Sequence, residues 1–193
     1  DPDTGGHIKR TQNYIRLLAD YLKNQPKFIR FLDDEAIDLL CKSAPLHDIG
    51  KVGVSDRILL KPGKLTEQEF EEMKQHTVYG RDTILVAERK LGNTSFLRIA
   101  REIAYTHHER WDGSGYPEGL KGEQIPVPGR LMALVDTYDA LTSKRVYKSQ
   151  IPHEKAVQII IEAKGTQFDP AVVDAFLEVK EDFRRIGLRY ADA

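Results

Sequence analysis

The hydrophobic residues of this chain recur mostly at intervals of three and four positions. This spacing places them on one face of an α-helix, whereas a half-buried β-strand would alternate at every second position. Six segments show the helical spacing: Ile8 to Leu22, Ile37 to Cys41, Phe70 to Met73, Phe96 to His107, Leu131 to Leu141, and Val172 to Phe176. No segment shows a convincing strand alternation. The pattern therefore predicts an all-α fold.

Polar residues that start helices stand directly before several of these segments. Thr66 and Glu69 have the spacing of a capping box, in which each side chain binds the other residue's backbone amide. Asp33 precedes the segment that contains Ile37 and is a candidate N-cap. Asp169 followed by Pro170 combines an N-cap residue with a proline in the first turn. These signals support the predicted helices independently of their hydrophobic spacing.

One long segment is predicted to be a loop because glycine and proline dominate it. The stretch from Trp111 to Gly129 carries five glycines and three prolines between Gly113 and its end. A shorter loop is predicted at Lys61 to Lys64. The chain has 193 residues, and it shows neither an internal repeat nor a linker long enough to divide it. We therefore expect a single compact helical domain over residues 1–193.

Composition narrows the classes of function. Apolar residues make up 40% and charged residues 31% of the chain, which is typical of a water-soluble globular protein. The net charge of −1 leaves no overall positive field for long nucleic acid or an anionic membrane. Cys41 is the single cysteine, so a reducing, cytoplasmic setting is expected. No apolar run spans a membrane, and the start without methionine suggests a piece cut from a longer regulatory protein.

Histidines and aspartates are grouped in a way that suggests a metal site. The chain has six histidines, and five of them stand beside other potential ligands or charged groups. The candidate ligands are His7 with Asp3, His47 with Asp48, His76, the pair His107 and His108, and Asp136 with Asp139. Asp136 and Asp139 are three positions apart and therefore share a helix face. Imidazole and carboxylate ligands without thiolate suit Fe, Mn, Ni or Zn.

Taken singly, none of these residues identifies a site. A lone histidine such as His76 is more often a surface residue, and His153 has no neighbours that suggest more. Asp136 and Asp139 alone would fit a solvated helix face. Asp136, however, follows the apolar run Leu131 to Val135, so we expect it to be partly buried and to need a partner. The combination favours a centre in which two metals clamp a phosphoryl group.

Two cations follow the aspartates and have two equally good interpretations. Arg145 and Lys148 come shortly after Asp139. They would either grip phosphate oxygens beside the metals or complement the dipole of a helix end. The residues alone do not separate these interpretations.

Three blocks of the sequence resemble the HD-GYP domain, a branch of the HD metal-dependent phosphohydrolases. They are His47-Asp48-Ile49-Gly50-Lys51, then His107-His108-Glu109-Arg110-Trp111-Asp112-Gly113-Ser114-Gly115-Tyr116-Pro117, then Val135-Asp136-Thr137-Tyr138-Asp139-Ala140-Leu141. The likeness runs over residues 1 to 178, and the long block with its Gly-Tyr-Pro end makes it specific. It implies an all-α HD-type fold and hydrolysis of the bacterial second messenger cyclic di-GMP.

The resemblance also implies roles for individual residues. It implies metal ligation by His47, Asp48, His76, His107, His108 and Asp136. Asp48 is expected to bridge two divalent metals, which we take to be Fe or Mn, and Asp48 and Lys51 are the expected catalytic residues. The positions expected to contact substrate are Lys51, Tyr116, Asp139, Arg145 and Lys148.

The resemblance also concerns a third metal near the start of the chain. Asp3 and His7 resemble extra ligands with which some members hold a third metal, but those members typically carry glutamate in place of Asp3. Because aspartate is one methylene shorter, we expect a third metal only at lower occupancy.

Tyr116 before Pro117 fixes the loop in one interpretation and stacks on a guanine in the other. The same loop is a candidate docking surface for a protein partner.

The sequence therefore predicts a metal-dependent cyclic di-GMP phosphodiesterase that uses metal-activated hydroxide and yields the linear dinucleotide and then GMP. One alternative keeps the chemistry and changes the substrate to another cyclic dinucleotide. A second alternative is a module that senses the nucleotide or docks a partner without turnover. A general HD nucleotidase is a weaker alternative, because the long loop argues against it.

Overall fold

The chain folds into helices joined by short turns and one long loop. The computed structural model describes residues 5–92, 94–143 and 150–191. Within those ranges the helices are α1 (Gly5–Leu22), α2 (Asp34–Ser43), α3 (Asp56–Leu59), α4 (Glu67–Leu91), α5 (Ser95–Thr106), α6 (Val127–Thr142), α7 (His153–Glu162) and α8 (Pro170–Arg189). Short 3₁₀ turns occupy Ala44–Leu46, Ile49–Gly53 and Gly122–Gln124. The predicted all-α fold is confirmed, because the described residues form no strand beyond one isolated bridge.

The predicted capping groups begin three of the helices. Thr66 Oγ1 accepts the backbone N–H of Glu69 at 3.3 Å, and the Glu69 carboxylate accepts the N–H of Thr66 at 2.7 Å. This reciprocal pair is the capping box of α4. Asp33 and Asp169 accept amides from the first turns of α2 and α8, each at 2.8 Å. The caps satisfy donors that a first helical turn leaves unpaired.

A cluster of aromatic rings forms the centre of the main core. Tyr14 of α1 stacks on Phe183 of α8 with ring centroids 4.3 Å apart. Tyr138 of α6 meets both rings edge-on, at 5.3 and 5.2 Å. Phe176 completes the cluster, and all four side chains are buried. Burying a side chain of this size contributes about 1.5–3 kcal/mol, so these contacts hold α1, α6 and α8 firmly together.

A second packing unit joins α4 to α5 and to the turn after α2. Ile84 of α4 packs with Ala100 and Ala104 of α5. Gly50 lies so close to α4 that a Cβ there would be 1.9 Å from the carbonyl oxygen of His76. Only a residue without a side chain fits at this approach. The contact sets the 3₁₀ turn Ile49–Gly53 against the helix that carries His76.

The long loop ends earlier than the sequence predicted. Helix α6 begins at Val127, so Pro128 and Gly129 belong to its first turn and not to the loop. Proline is tolerated there because the first amides of a helix have no acceptor within the helix. Gly129 is required by packing, since a Cβ would be 2.1 Å from Oγ1 of Thr106. The loop proper therefore runs only as far as Pro126.

Candidate metal centre

Six of the predicted ligands, together with His7, converge on one region although they come from five parts of the fold. His47 and Asp48 lie between two 3₁₀ turns, where the chain has left α2 and not yet met α4. The remaining residues are His7 in the first turn of α1, His76 within α4, His107 at the C-cap of α5 with His108 after it, and Asp136 within α6. The site is thus a product of tertiary packing and not of one local motif.

The ligand atoms form two compact groups. The first ligand group contains Asp48, His76, His107 and His108, whose ligand atoms all lie within 4.8 Å of one another. The second ligand group contains His7, His47 and Asp136, with the same limit of 4.8 Å. Each group offers three or four nitrogen and oxygen donors, as a metal of the first transition series requires.

Asp48 lies between the two ligand groups and faces both. Its Oδ1 is 3.4 Å from Nε2 of His76 and 3.7 Å from Nε2 of His107. Its Oδ2 is 3.3 Å from Nε2 of His47. Nε2 of His47 also lies 3.9 Å from Oδ1 of Asp136, in the second group. One carboxylate therefore presents one oxygen to each group, which is the arrangement that a bridging ligand needs.

The histidines are oriented by hydrogen bonds from their outer nitrogens. Nδ1 of His47 donates to the carbonyl of Ala44 at 2.9 Å, and Nδ1 of His76 donates to that of Met73 at 2.6 Å. Nδ1 of His107 donates to a carbonyl of α5 at 3.0 Å. A backbone acceptor at Nδ1 fixes the tautomer in which Nε2 carries a lone pair. All three Nε2 atoms then face the centre as potential ligands.

Several buried polar atoms in the centre have no hydrogen bond from the described residues. They are Nε2 of His47, His76 and His107 and Oδ1 of Asp48. Buried polar atoms without partners are costly and rare in proteins. Here they point at one another, and a cation between them would satisfy all of them at once. The donor set therefore fits metal binding on chemical grounds.

The side chains of this centre shift one another's pKa values. Burial alone would lower the pKa of His47, but Asp48 and Asp136 outweigh it and raise that pKa to about 9. Burial would raise the pKa of Asp48, yet the neighbouring His107 and His47 side chains and the Lys51 ammonium hold it well below the usual range. Burial and the neighbouring His107 lower the pKa of His76 to about 4. The carboxylates of Asp48 and Asp136 thus favour positive charge at His47.

Asp139 lies behind the second ligand group. Its Oδ2 accepts from Nδ1 of His7 at 2.8 Å, and its two oxygens accept from the Arg10 guanidinium at 2.6 and 3.0 Å. Burial would raise the pKa of Asp139, but His7 and Arg10 keep it below its usual value. With 1% exposure, this carboxylate orients His7. The predicted contact of Asp139 with substrate stays a prediction.

Lys51 lies at the edge of the centre, one turn after Asp48. Its ammonium nitrogen is 2.7 Å from Oδ2 of Asp48. The side chain retains 22% exposure, so its charge faces both the Asp48 carboxylate and the solvent side of the centre. This position suits the predicted role of a cation that meets phosphoryl oxygens.

The ring of Tyr116 covers one of the ligand histidines. It stacks on His108 with centroids 4.9 Å apart and an angle of 26° between the planes. Phe70 of α4 meets Tyr116 edge-on at 6.2 Å. The tyrosine thus pins the loop to the ligand group, as one of the two interpretations predicted, and it also lines the pocket beside it.

A pocket of about 400 Å³ opens beside the first ligand group. Its walls include His107, His108 and Asp136 on the metal side and Tyr116 on the loop side. Further lining residues are Phe70, Lys74, Glu109, Arg110, Ser114, Gly115, Ala133, Thr137 and Gln167. Such a volume lies in the range that small-ligand sites occupy. The arrangement places potential ligands from both groups at the wall of one cavity.

Comparison with known protein families identifies the same family as the sequence motifs. The sequence profile of the HD domain matches residues 8–172, which is most of the chain. This chain belongs to the HD domain family. The recognition made from the His-Asp, Gly-Tyr-Pro and Asp136 blocks is thereby confirmed.

Curated relatives of this HD domain are named as phosphodiesterases of cyclic dinucleotides. A "Cyclic di-GMP phosphodiesterase" of Vibrio cholerae is 57% identical over all 193 residues, and one of Thermotoga maritima is 49% identical over 78% of this chain. A "3'3'-cGAMP-specific phosphodiesterase 2" of Vibrio cholerae is 39% identical over 98% of this chain. The chain spans 39%, 39% and 34% of the lengths of these three relatives.

Two solved structures share the fold of this HD domain. An HDG"Y"P protein from Bdellovibrio bacteriovorus aligns over 93% of this chain and 54% of its own, with a TM-score of 0.61 and 18% identity. A cyclic GMP-AMP specific phosphodiesterase of Vibrio cholerae aligns over 94% of this chain and 50% of its own, with a TM-score of 0.52 and 18% identity. At this identity the likeness concerns the fold alone, and it agrees with the helical architecture described above.

Three of the predicted site residues lie outside the described part of the HD domain. They are Asp3, Arg145 and Lys148. Their predicted contacts with a third metal and with substrate phosphates stay predictions.

Among the described helices, none combines the length and the hydropathy that crossing a membrane requires.

Glu109 is a site residue that the sequence reasoning missed. It follows the two ligand histidines, is 2% exposed, and accepts the backbone N–H groups of Glu118 at 2.8 Å and Leu120 at 3.0 Å. Burial raises the pKa of this carboxyl group, although the amides act against that shift. A signal was present, since a loop this long needs acceptors for its buried amides. Glu109 therefore ties the loop that carries Tyr116 to the end of α5.

We expect Glu109→Ala to loosen this loop while the metal ligands stay in place. Two buried amides would lose their acceptor, which costs about 1–3 kcal/mol for each group left unsatisfied. Hydrogen exchange of the Glu118 and Leu120 amides should accelerate, and kcat/KM should fall by roughly 10- to 100-fold, as for other residues that orient a site. Glu123→Ala, an exposed residue of the same loop, is the matched control. Unchanged amide exchange in Glu109→Ala would contradict the assignment.

Proposed function

We propose that this HD domain is a metal-dependent phosphodiesterase that hydrolyses cyclic di-GMP. The observation that carries the proposal is Asp48, which presents one oxygen to each of two buried ligand groups beside a pocket of about 400 Å³. Two metals about 3.5–4 Å apart are the usual device for in-line displacement at phosphorus. Relatives named as cyclic di-GMP phosphodiesterases, at 57% and 49% identity, support the choice of substrate.

The chain's own residues would hold the metals and shape the reaction. The first ligand group would hold one divalent metal and the second ligand group another, with Asp48 shared between them. Bound there, the metals would supply Lewis acidity to a phosphoryl oxygen and to the attacking water. We expect Fe or Mn as the metal. Because Nδ1 of His7 is bound to Asp139, its Nε2 would serve either the second metal or, with Asp3, a third ion of lower occupancy.

Hydrolysis requires one bond to form and one to break at the phosphorus atom. Water adds an oxygen to phosphorus, and the bond from phosphorus to the 3′ oxygen breaks. The 3′ oxygen leaves with a proton, so the product is a linear dinucleotide with a 5′ phosphate, and a second cut would give GMP. Lys51, 2.7 Å from Asp48, is placed to offset negative charge on the phosphoryl oxygens.

Two alternatives predict different substrates or no reaction. A relative specific for 3′3′-cGAMP is 39% identical, below the 57% of the cyclic di-GMP relative, which favours cyclic di-GMP here. A binding module without turnover would tolerate the loss of ligands. The described residues retain all six ligands that the resemblance implies, together with His7. Retention of the full set favours an enzyme.

The proposal is tested by purification without oxygen, metal analysis and identification of the products formed from cyclic di-GMP. We expect about two equivalents of Fe or Mn in each chain and release of the linear dinucleotide. Parallel incubation with 3′3′-cGAMP measures the substrate preference. A metal-loaded chain that binds cyclic di-GMP and leaves it intact would instead establish the binding module.

Arg145→Ala and Lys148→Ala are expected to weaken substrate binding without changing the metal content. Loss of a charge-assisted hydrogen bond costs about 1.5–3 kcal/mol. This corresponds to a fall of roughly 10- to 150-fold in kcat/KM. Lys155→Ala, at an exposed lysine of α7, is the control. If kinetics and metal content both match those of the unmodified chain, these cations are ordinary surface residues.

A further inference from the structure

Lys74 places a positive charge in the pocket at a distance from the metal ligands. It precedes His76 by two residues on α4 and lines the pocket together with His107, His108 and Asp136. Its ammonium nitrogen lies 5.0 Å from the ring centroid of Phe70 and 5.5 Å from that of Tyr116. The Lys74 charge is therefore separated from the His108 imidazole by a single aromatic ring, that of Tyr116.

Lys74 lies close to the first ligand group, as two ring distances show. The ammonium lies 5.5 Å from the Tyr116 ring centroid, and that centroid lies 4.9 Å from the His108 centroid. These two separations set an upper limit of about 10 Å between the ammonium and the His108 centroid. A cation this close shares the pocket with the metals, yet it belongs to neither ligand group.

A cyclic dinucleotide has two phosphates on opposite sides of its ring. With one phosphate held at the two ligand groups, the other would enter the pocket with its full negative charge. A buried charge without a partner is strongly unfavourable. Among the described residues that line this pocket, the cationic side chains are Lys74 and Arg110.

The contacts of these two cations favour Lys74. The guanidinium of Arg110 is used within the loop, where Nε donates to Ser114 Oγ at 2.9 Å and lies 3.8 Å from Asp112. Lys74 donates to Glu71 at 2.6 Å, but the Glu71 side chain is 62% exposed. A surface ion pair of this kind is weak and readily exchanged for a stronger anion.

Two aromatic rings position the Lys74 ammonium so that it can exchange Glu71 for another anion. Phe70 and Tyr116 hold the ammonium in the pocket by cation–π contacts, so little side-chain freedom is lost on binding an anion. We propose that Lys74 binds the phosphate of the cyclic dinucleotide that is not being cleaved. This inference rests on the proposed function and adds to it a residue that distinguishes two-phosphate from one-phosphate substrates.

The test compares two substrates in the metal-loaded chain. Cyclic di-GMP carries two phosphates, and bis(p-nitrophenyl) phosphate carries one. Lys74→Met removes the charge and keeps an apolar chain over the rings, whereas Lys74→Arg keeps the charge. We expect Lys74→Met to raise KM for cyclic di-GMP by about 10-fold or more while kcat/KM for bis(p-nitrophenyl) phosphate stays within about twofold. Lys74→Arg should restore most of the loss.

Two further variants sharpen the result. Lys90→Met, at an exposed lysine on the same helix, should change neither substrate. Glu71→Ala, which removes the competing carboxylate, should lower KM for cyclic di-GMP. Equal losses on both substrates in Lys74→Met, or no loss on either, would overturn the inference while leaving the proposed function standing. If the unmodified chain cleaves bis(p-nitrophenyl) phosphate and leaves cyclic di-GMP intact, the proposed function fails and the inference fails with it.

Discussion

Replacing Asp48 by alanine is expected to remove metal and turnover together while leaving the helices in place. Asp48 faces both ligand groups, with Oδ1 3.4 Å from His76 and Oδ2 3.3 Å from His47. Its loss therefore weakens both groups at once. We expect kcat to fall by at least roughly 10³-fold, the upper range for removing a single electrostatic contact in a catalytic site. Metal analysis, steady-state kinetics and circular dichroism on one sample measure the three properties.

Asp38→Ala provides the matched control for this experiment. Asp38 lies on the exposed face of α2 and pairs with Arg16 at 2.7 Å. Both side chains are about half exposed, at 47% and 56%, so the pair contributes little to stability. Asp38→Ala should keep the metal content and activity of the unmodified chain. An Asp48→Ala protein that stays fully metallated and active would refute the assignment of two bridged metals.

Gly50→Ala is expected to damage both stability and the metal centre. The added Cβ would lie 1.9 Å from the carbonyl oxygen of His76 and 2.4 Å from the amide nitrogen of Gly80. Both are backbone atoms of α4, so the turn and the helix must move apart. We expect a loss of about 3 kcal/mol or more, at the upper end of the costs of overpacking. For a chain of this size that corresponds to a fall in Tm of roughly 6–12 °C.

Moving the turn that contains Gly50 away from α4 would also separate candidate ligands on either side of this contact. Asp48 precedes this glycine and His76 lies on the helix that must yield, so metal affinity should fall with stability. Gly5→Ala serves as the control, because a Cβ at Gly5 meets no atom within 4 Å. Thermal melts with and without added Mn²⁺ distinguish the two effects. A Gly50→Ala protein with unchanged Tm and metal content would show that the close approach relaxes at no cost.

The helices, and the residues that come together at the candidate metal centre, could be predicted because both leave local signals. Apolar spacing gave the helical faces, and the capping box at Thr66 gave the start of α4. The predicted end of the long loop at Gly129 was wrong, because every glycine and proline of this stretch was assigned to the loop. In the structure, Pro128 occupies a first turn that has no need of its amide, and Gly129 meets α5. Composition cannot separate a glycine that bends the chain from one that makes room for a neighbour.

The support around the ligands could not be predicted from local sequence. Asp139 was expected to contact substrate, yet it receives hydrogen bonds from His7 and Arg10, which lie 132 and 129 positions away in the chain. Glu109 reaches amides nine and eleven positions ahead, in a loop whose path no periodicity describes. Such partners are chosen by tertiary packing. The pattern of residue types predicts which groups can bind metal, while the fold decides which of them face the metal and which stand behind it.

Metals bound at this centre would act as cross-links, because their candidate ligands are spread along the chain. Cys41 is the single cysteine, so no internal disulfide can restrict the unfolded chain. Cations shared by Asp48, His107 and Asp136 would instead close loops of many tens of residues and reduce the entropy of that chain, as a long-range disulfide does. The free energy of metal binding then becomes part of the free energy of folding. The supply of metal in the cell would thus set the lifetime of the protein against proteolysis as well as its turnover.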